Sequence, residues 1–273
     1  MPVSSYKIKD YVLDLQKRGI LTFTLNEVRE RFQSFSEVAI KSALRRISRG
    51  GAVIPVRKGY YTIIPVGYAL RGVLPPELYI DDLMKRLHRP YYVGLLNAAA
   101  YHGAAHQQPQ AFSVITAPPA LRDTVKKGIH INYITTRRNI PQAWLNPFRT
   151  ESGDIQVSSP ELTAADLVGY QREIGGLSRA STILCELAET LDFKRLDGAF
   201  FDFVPGSTVQ RLGYLLESVL GRPKLADTLY AKAQTHKCKF QRIPLKYGKE
   251  KGDSVIDARW KIIVNEQIEI DDL

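Results

Sequence analysis

At 273 residues, 44% hydrophobic and 24% charged, the chain is long enough for two domains, and its composition is that of a folded globular protein. No apolar run approaches the ~18 residues of a membrane-spanning helix, and MPVSSYKIKDYVLDL lacks the charged-then-apolar layout of a secretory leader. Two cysteines, Cys185 and Cys238, are too few for a disulfide framework, so the expectation is a cytoplasmic protein without membrane contact.

The net charge is +10 and it is unevenly placed: residues 1–70 hold twelve basic and five acidic residues. A compact basic quarter predicts a polyanionic partner.

Ile8, Tyr11, Val12 and Leu15 recur at helical spacing, and Gly19 ends that helix. Thr24-Leu-Asn-Glu27 has capping-box spacing and predicts a short second helix with Leu25, Val28 and Phe32 inward. Ser34-Phe-Ser-Glu37 reads as a second box opening a third helix, stopped by Gly50-Gly51. At about 100° per residue, Ile40, Ala43, Leu44 and Ile47 fall on one side of that helix, and Lys41, Ser42, Arg45, Arg46 and Arg49 on the other. Lys41, Arg45 and Arg49 are like charges at i, i+4, i+8, which weakens an isolated helix. Phosphates or base edges placed there would account for them.

VIPV (53–56), the turn Arg57-Lys58-Gly59 and YTII (61–64) then read as a β-hairpin, with Pro55 confined to an edge strand. Three short helices followed by a hairpin is the order of a winged helix-turn-helix. The third helix would enter the DNA major groove, and the wing, with Arg57, Lys58 and the Tyr60 hydroxyl, would meet the sugar-phosphate backbone or the minor groove beside it. Tyr61 would pack inward.

Residues 71–76, with Gly72 and Pro75-Pro76, read as a linker to a larger α/β domain over 77–273. Helices are expected near 77–88 and 94–102, strands at 112–117, 129–134 and 155–158, and a helix opened by Ser159-Pro160. Further helices follow around Ile183–Leu191 and Val209–Val219, and Asp257–Val264 alternates as a half-buried strand. The whole is a mixed α/β (α+β) chain.

Chemistry is sparse. His102 and His106 lack the acidic residue of a zinc-protease helix, Asp192-Phe-Lys194 is only a fragment of a nuclease pattern, and no phosphate-binding glycine loop or nucleophile elbow occurs. No catalytic residue, metal or cofactor is expected. A second basic stretch runs through Lys237, Lys239, Arg242, Lys246, Lys249 and Lys251, with Phe240 and Tyr247 interleaved, and is a candidate second nucleic-acid surface.

AIKSALRRISRGGAVIPVRKGYYTI resembles the winged-helix region of AbiEi-type antitoxins of bacterial type IV toxin–antitoxin, phage-defence systems. GLLNAAAYHGAAHQQPQAFSVIT, SSPELTAADLVGYQREIGGLSRASTILCELAE, VQRLGYLLESVLGRP and RWKIIVN resemble later segments of that family in the same order. The resemblance implies a winged-helix domain and a C-terminal antitoxin domain. It implies repression of the chain's own promoter at inverted repeats in double-stranded DNA. It also implies neutralisation of a nucleotidyltransferase-like toxin without a tight complex. The DNA contacts it carries over are Lys41, Ser42, Arg45, Arg46 and Arg49 on the helix and Arg57, Lys58 and Tyr60 on the wing. The alternatives are a winged-helix regulator with a ligand-sensing C-terminal domain and a nucleic-acid enzyme.

Overall fold

The computed structural model describes residues 7–104, 109–250 and 254–270. The first unit opens with α1 (Ile8–Lys17), β1 (Thr22–Thr24), α2 (Leu25–Arg31), α3 (Glu37–Arg49), β2 (Val53–Arg57) and β3 (Tyr60–Ile63). The strands form an antiparallel sheet in the order β1-β3-β2. This is a winged helix-turn-helix, as the element order predicts, and β2, carrying Pro55, lies at a sheet edge.

The local rules explain these boundaries. Thr24 accepts from the amide of Glu27 at 3.2 Å, and Glu27 accepts from the amide of Thr24 at 2.7 Å, a complete capping box. The box expected from Ser34 does not form. Ser36 is the N-cap of α3, its hydroxyl accepting from Ala39 N at 3.2 Å, two residues beyond the expected start. The Ser34–Glu37 pair only mimics the spacing, because the chain is still turning at Ser34. Ile8, Val12, Leu15, Phe23, Val28, Ile40, Leu44, Val53 and Ile63 share one core, so the helical stripes and the sheet face converge as amphipathic packing requires.

After short 3-10 turns at Val66–Tyr68 and Pro76–Leu78, α4 (Ile80–Arg86) packs in the same unit, which extends to Pro90 and includes Leu121–Tyr133 and Pro147–Ile155. The remaining elements are β4 (Tyr91–Val93), α5 (Leu95–Tyr101), β5 (Phe112–Thr116), β6 (Thr124–Lys126), β7 (Ile129–Thr135), β8 (Leu145–Thr150) and β9 (Gly153–Ser158). β6 pairs antiparallel with β7, Thr124 facing Ile131. β4 pairs antiparallel with β5 and parallel with β9.

The helices of the second unit are α6 (Pro160–Gly169), α7 (Gln171–Ile174), α8 (Leu177–Leu187), α9 (Gly198–Phe203), α10 (Gly206–Tyr214) and α11 (Pro223–Thr235). Ser159 caps α6 and Pro160 occupies its first turn, the predicted cap-then-proline arrangement. α6 is buried along nearly its whole length, so its sequence shows little amphipathic contrast. Three short strands, β10 (Ile243–Pro244), β11 (Ile256–Asp257) and β12 (Ile262–Ile263), form a small sheet in the order β10-β12-β11.

The long alternating strand expected over Asp257–Val264 is replaced by a turn between β11 and β12. The reason is Trp260. Its backbone amide donates to Asp257 Oδ1 at 2.7 Å, closing the turn, and its ring is fully buried against Gly213 of α10. Its indole N–H donates to Glu217 Oε2 at 2.6 Å. One large side chain with a polar handle thus bends the strand over a helix.

Candidate nucleic-acid interface

α3 is held by its apolar side. Ile40 and Leu44 are buried in the core shared with Val12, Leu15 and Val28. That packing turns Lys41, Ser42, Arg45, Arg46 and Arg49 outward, and all five are exposed. The structure therefore brings the five predicted helix residues onto one solvent-facing surface.

The charge on that surface is graded. Glu37, in the first turn of α3, pairs with Arg29 of α2 and with Lys41, the latter at 2.9 Å. The hydrogen bonds from Arg29 and Lys41 hold its carboxyl down to about 2. Arg45, Arg46 and Arg49 make no ion pair among the described residues. The N-terminal end of the face is thus neutralised within the protein, while the following turns offer three unmatched guanidiniums, each able to bind a phosphate or a guanine edge in bidentate fashion. A groove of about 820 Å³ flanks α3, lined by Lys9, Leu13, Phe35, Ala43 and Ile47 together with Ser42 and Arg46.

The wing is short. Arg57 faces Tyr60 across the hairpin, with an irregularity between Pro55 and Arg57, and Gly59 takes φ +75°, which a residue with a Cβ adopts at a cost. Gly59 O accepts from Leu25 N at 2.8 Å, so the turn is tied to the start of α2. Lys58 is exposed and Arg57 half-buried.

Tyr60 is a correction. Instead of offering its hydroxyl to a phosphate, it is buried, and that hydroxyl donates to Asp82 Oδ2 of α4 at 2.8 Å. Thr22 Oγ1 donates to the same oxygen at 2.8 Å, and Arg86 Nε reaches it at 2.8 Å. Burial, then the neighbouring Asp82 charge, pushes the Tyr60 hydroxyl far above its ordinary range. Tyr61, expected inward, is half-buried and stacks on Phe23 with centroids 5.1 Å apart at 8°. Burial raises its hydroxyl above the ordinary value, and the charges of Lys41 and Arg29 act against that rise. Tyr61 packs against the core beside Phe23 as expected, while Asp82, a residue remote in sequence, captures Tyr60. No signal local to the hairpin could have shown that capture.

The second basic stretch is only partly available. Lys246 and Lys249 both pair with Glu266, at 2.7 and 2.5 Å. Lys237, Lys239 and Arg242 are exposed. Lys251 lies outside the described residues, as does His106.

Other candidate chemistry resolves into structure. His102 Nε2 is bonded to Ser158 O at 2.7 Å. Asp192 Oδ1 accepts from Lys194 N at 3.1 Å, a turn cap rather than a nuclease carboxylate. Among the described residues no cluster of His, Cys, Asp or Glu is placed to hold a metal. No helix among them is long and apolar enough to cross a membrane.

This architecture has a solved counterpart. A crystal structure of the RV2827C protein from Mycobacterium tuberculosis superposes with a TM-score of 0.65, covering 92% of this chain and 89% of that one at 20% identity; at that identity the likeness is one of fold. No curated protein matches the chain. Residues 92–218 match the family model of the AbiEi antitoxin C-terminal domain. The resemblance read from the sequence is met over that span, and the chain carries an AbiEi antitoxin C-terminal domain.

Proposed function

We propose that the chain is a cytoplasmic, DNA-binding autorepressor and antitoxin. Its winged helix binds double-stranded DNA at inverted repeats in its own promoter, and the chain counters a nucleotidyltransferase-like toxin without forming a tight complex with it. The observation that carries the DNA reading is the solvent face of α3. Arg45, Arg46 and Arg49 stand exposed without an acidic partner among the described residues, while Glu37, the acid on their own helix, is occupied by Arg29 and Lys41. Like charges kept at i, i+4 spacing weaken a helix unless an anion offsets them, and duplex DNA supplies that anion at high density. Lys58 of the wing would add a backbone contact. The antitoxin role is supported by the family of the domain at 92–218.

The test is fluorescence anisotropy with a duplex from upstream of the chain's own gene, a scrambled duplex, and two salt concentrations. A preference for the native duplex is expected, lost in Arg45→Ala/Arg46→Ala, with a log–log salt slope shallower by about two. Equal weak binding to both duplexes, indifferent to the substitutions, would sink the α3 assignment. Co-expression with a neighbouring nucleotidyltransferase-like toxin tests the second role separately. The double variant should still rescue growth while failing to repress.

A ligand-sensing regulator is the second reading, favoured by a cavity in the second unit whose wall includes charged residues.

A further inference from the structure

That cavity, of about 260 Å³, lies wholly within the second unit. Its wall combines the end of β7 and the residues after it, the C-terminal half of α6 with Tyr170, and the segment joining α9 to α10. Asp166 marks its inner end, because this residue is only 4% exposed. Arg137 and Arg138, both exposed, mark its open end. Arg138 is held in place by the carbonyls of Asp202 and Phe203, at 2.8 and 3.1 Å.

Asp166 is poorly matched by the protein itself. Its Oδ2 accepts from the Tyr92 hydroxyl at 2.9 Å, and no other side-chain hydrogen bond to its carboxyl occurs among the described residues. An ionised carboxylate can accept about four hydrogen bonds, and burying one with a single donor is costly. Burial accordingly raises its pKa to about 8. Burial, and then the neighbouring Asp166, also raises Tyr170 to about 12. No basic side chain among the described residues is paired with Asp166. The backbone close by is strained as well. Gly94, whose added Cβ would stand 3.4 Å from Asp166 Oδ2, is followed by Leu95 at φ +55°. An under-satisfied buried acid at the inner end of a cavity is the mark of a binding site rather than of a stability core.

We propose that this cavity binds a small molecule carrying N–H donors at its inner end and a phosphate or carboxylate at its outer end. The N–H group supplies the donors that the ionised form of Asp166 lacks, so that binding favours loss of its proton, and the anionic group meets Arg137, with Tyr170, Thr136 and Thr208 offering side chains along the wall. The volume suits a molecule between an amino acid and a nucleoside monophosphate. The inference rests on the second unit alone and does not depend on the DNA reading.

Isothermal titration calorimetry on the full chain tests it, with GMP and AMP as one arm and L-arginine and L-glutamine as the other. Saturable binding in one arm identifies the source of the chemistry. Asp166→Asn, which keeps the shape of the inner end, and Arg137→Glu, at an exposed position, should each weaken that binding about tenfold or more. Should Asp166→Asn melt early, Thr135→Phe replaces it, filling the cavity from a half-buried wall position. No saturation in either arm, or binding that survives the substitutions, overturns the proposal.

Discussion

The hydroxyl of Tyr60 donates to Oδ2 of Asp82 at 2.8 Å, joining the wing to α4 through a carboxylate that Thr22 and Arg86 also engage. A residue at the rim of the β2–β3 hairpin is therefore structural. Tyr60→Phe should destabilise the fold by roughly 1.5–3 kcal/mol, the range for a hydrogen bond to a charged group. It should leave DNA affinity and its salt slope unchanged. Urea unfolding beside anisotropy separates the two. A loss of DNA binding without loss of stability would return Tyr60 to the interface.

Glu37 acts in the opposite sense. It neutralises Lys41 and Arg29 at the edge of the basic face. Glu37→Gln should free both cations for phosphate, strengthening nonspecific duplex binding by about threefold or more at low salt and steepening the salt dependence. Because Glu37 is exposed, its paired carboxylate should add little to stability. Anisotropy against a scrambled duplex reads the effect, and weaker binding would mean that the acid positions the cations rather than masks them.

Asp166 predicts a pH dependence of stability. Its carboxyl keeps a proton up to about pH 8 in the folded protein, against an ordinary value of 3.8. Between those values the folded state holds a proton that the unfolded chain has released. Stability must then fall as pH rises through that window, with a slope of up to about 1.4 kcal/mol per pH unit. Asp166→Asn removes the ionisation, so its melting temperature should fall less over the same window than that of the unsubstituted chain. Parallel melting curves for the two proteins at pH 5 and pH 8 would contradict the assignment.

Gly213 predicts a packing failure. A Cβ there would overlap the Trp260 ring, which is fully buried and hydrogen-bonded through its indole to Glu217. Being fully buried, the ring can yield only by displacing its neighbours. Gly213→Ala should cost about 3 kcal/mol or more through overpacking, although alanine favours a helix by about 1 kcal/mol. Denaturant unfolding followed by tryptophan fluorescence measures it. A neutral outcome would show that the indole can leave this seat.

Local spacing was enough to establish the winged helix and the identity of the cationic face. Thr24 and Glu27 cap each other, Ile40 and Leu44 repeat at helical spacing, and a glycine turn closes the hairpin, all within reach of a few neighbours in the chain. Short-range spacing also exposed Ser159-Pro160 as a helix start. Partners distant in the chain settled the rest. Asp82 reassigned Tyr60 across 22 residues, and Glu217 with Gly213 turned Trp260 from a strand residue into a bend. Glu266 quenched two lysines of the second basic stretch, and Tyr92 reached Asp166 across 74 residues to leave a half-satisfied acid in a cavity. Periodicity sets which way a side chain faces on its own element. Which group waits there to bury, pair or protonate it is set by packing between elements, and that information is not local.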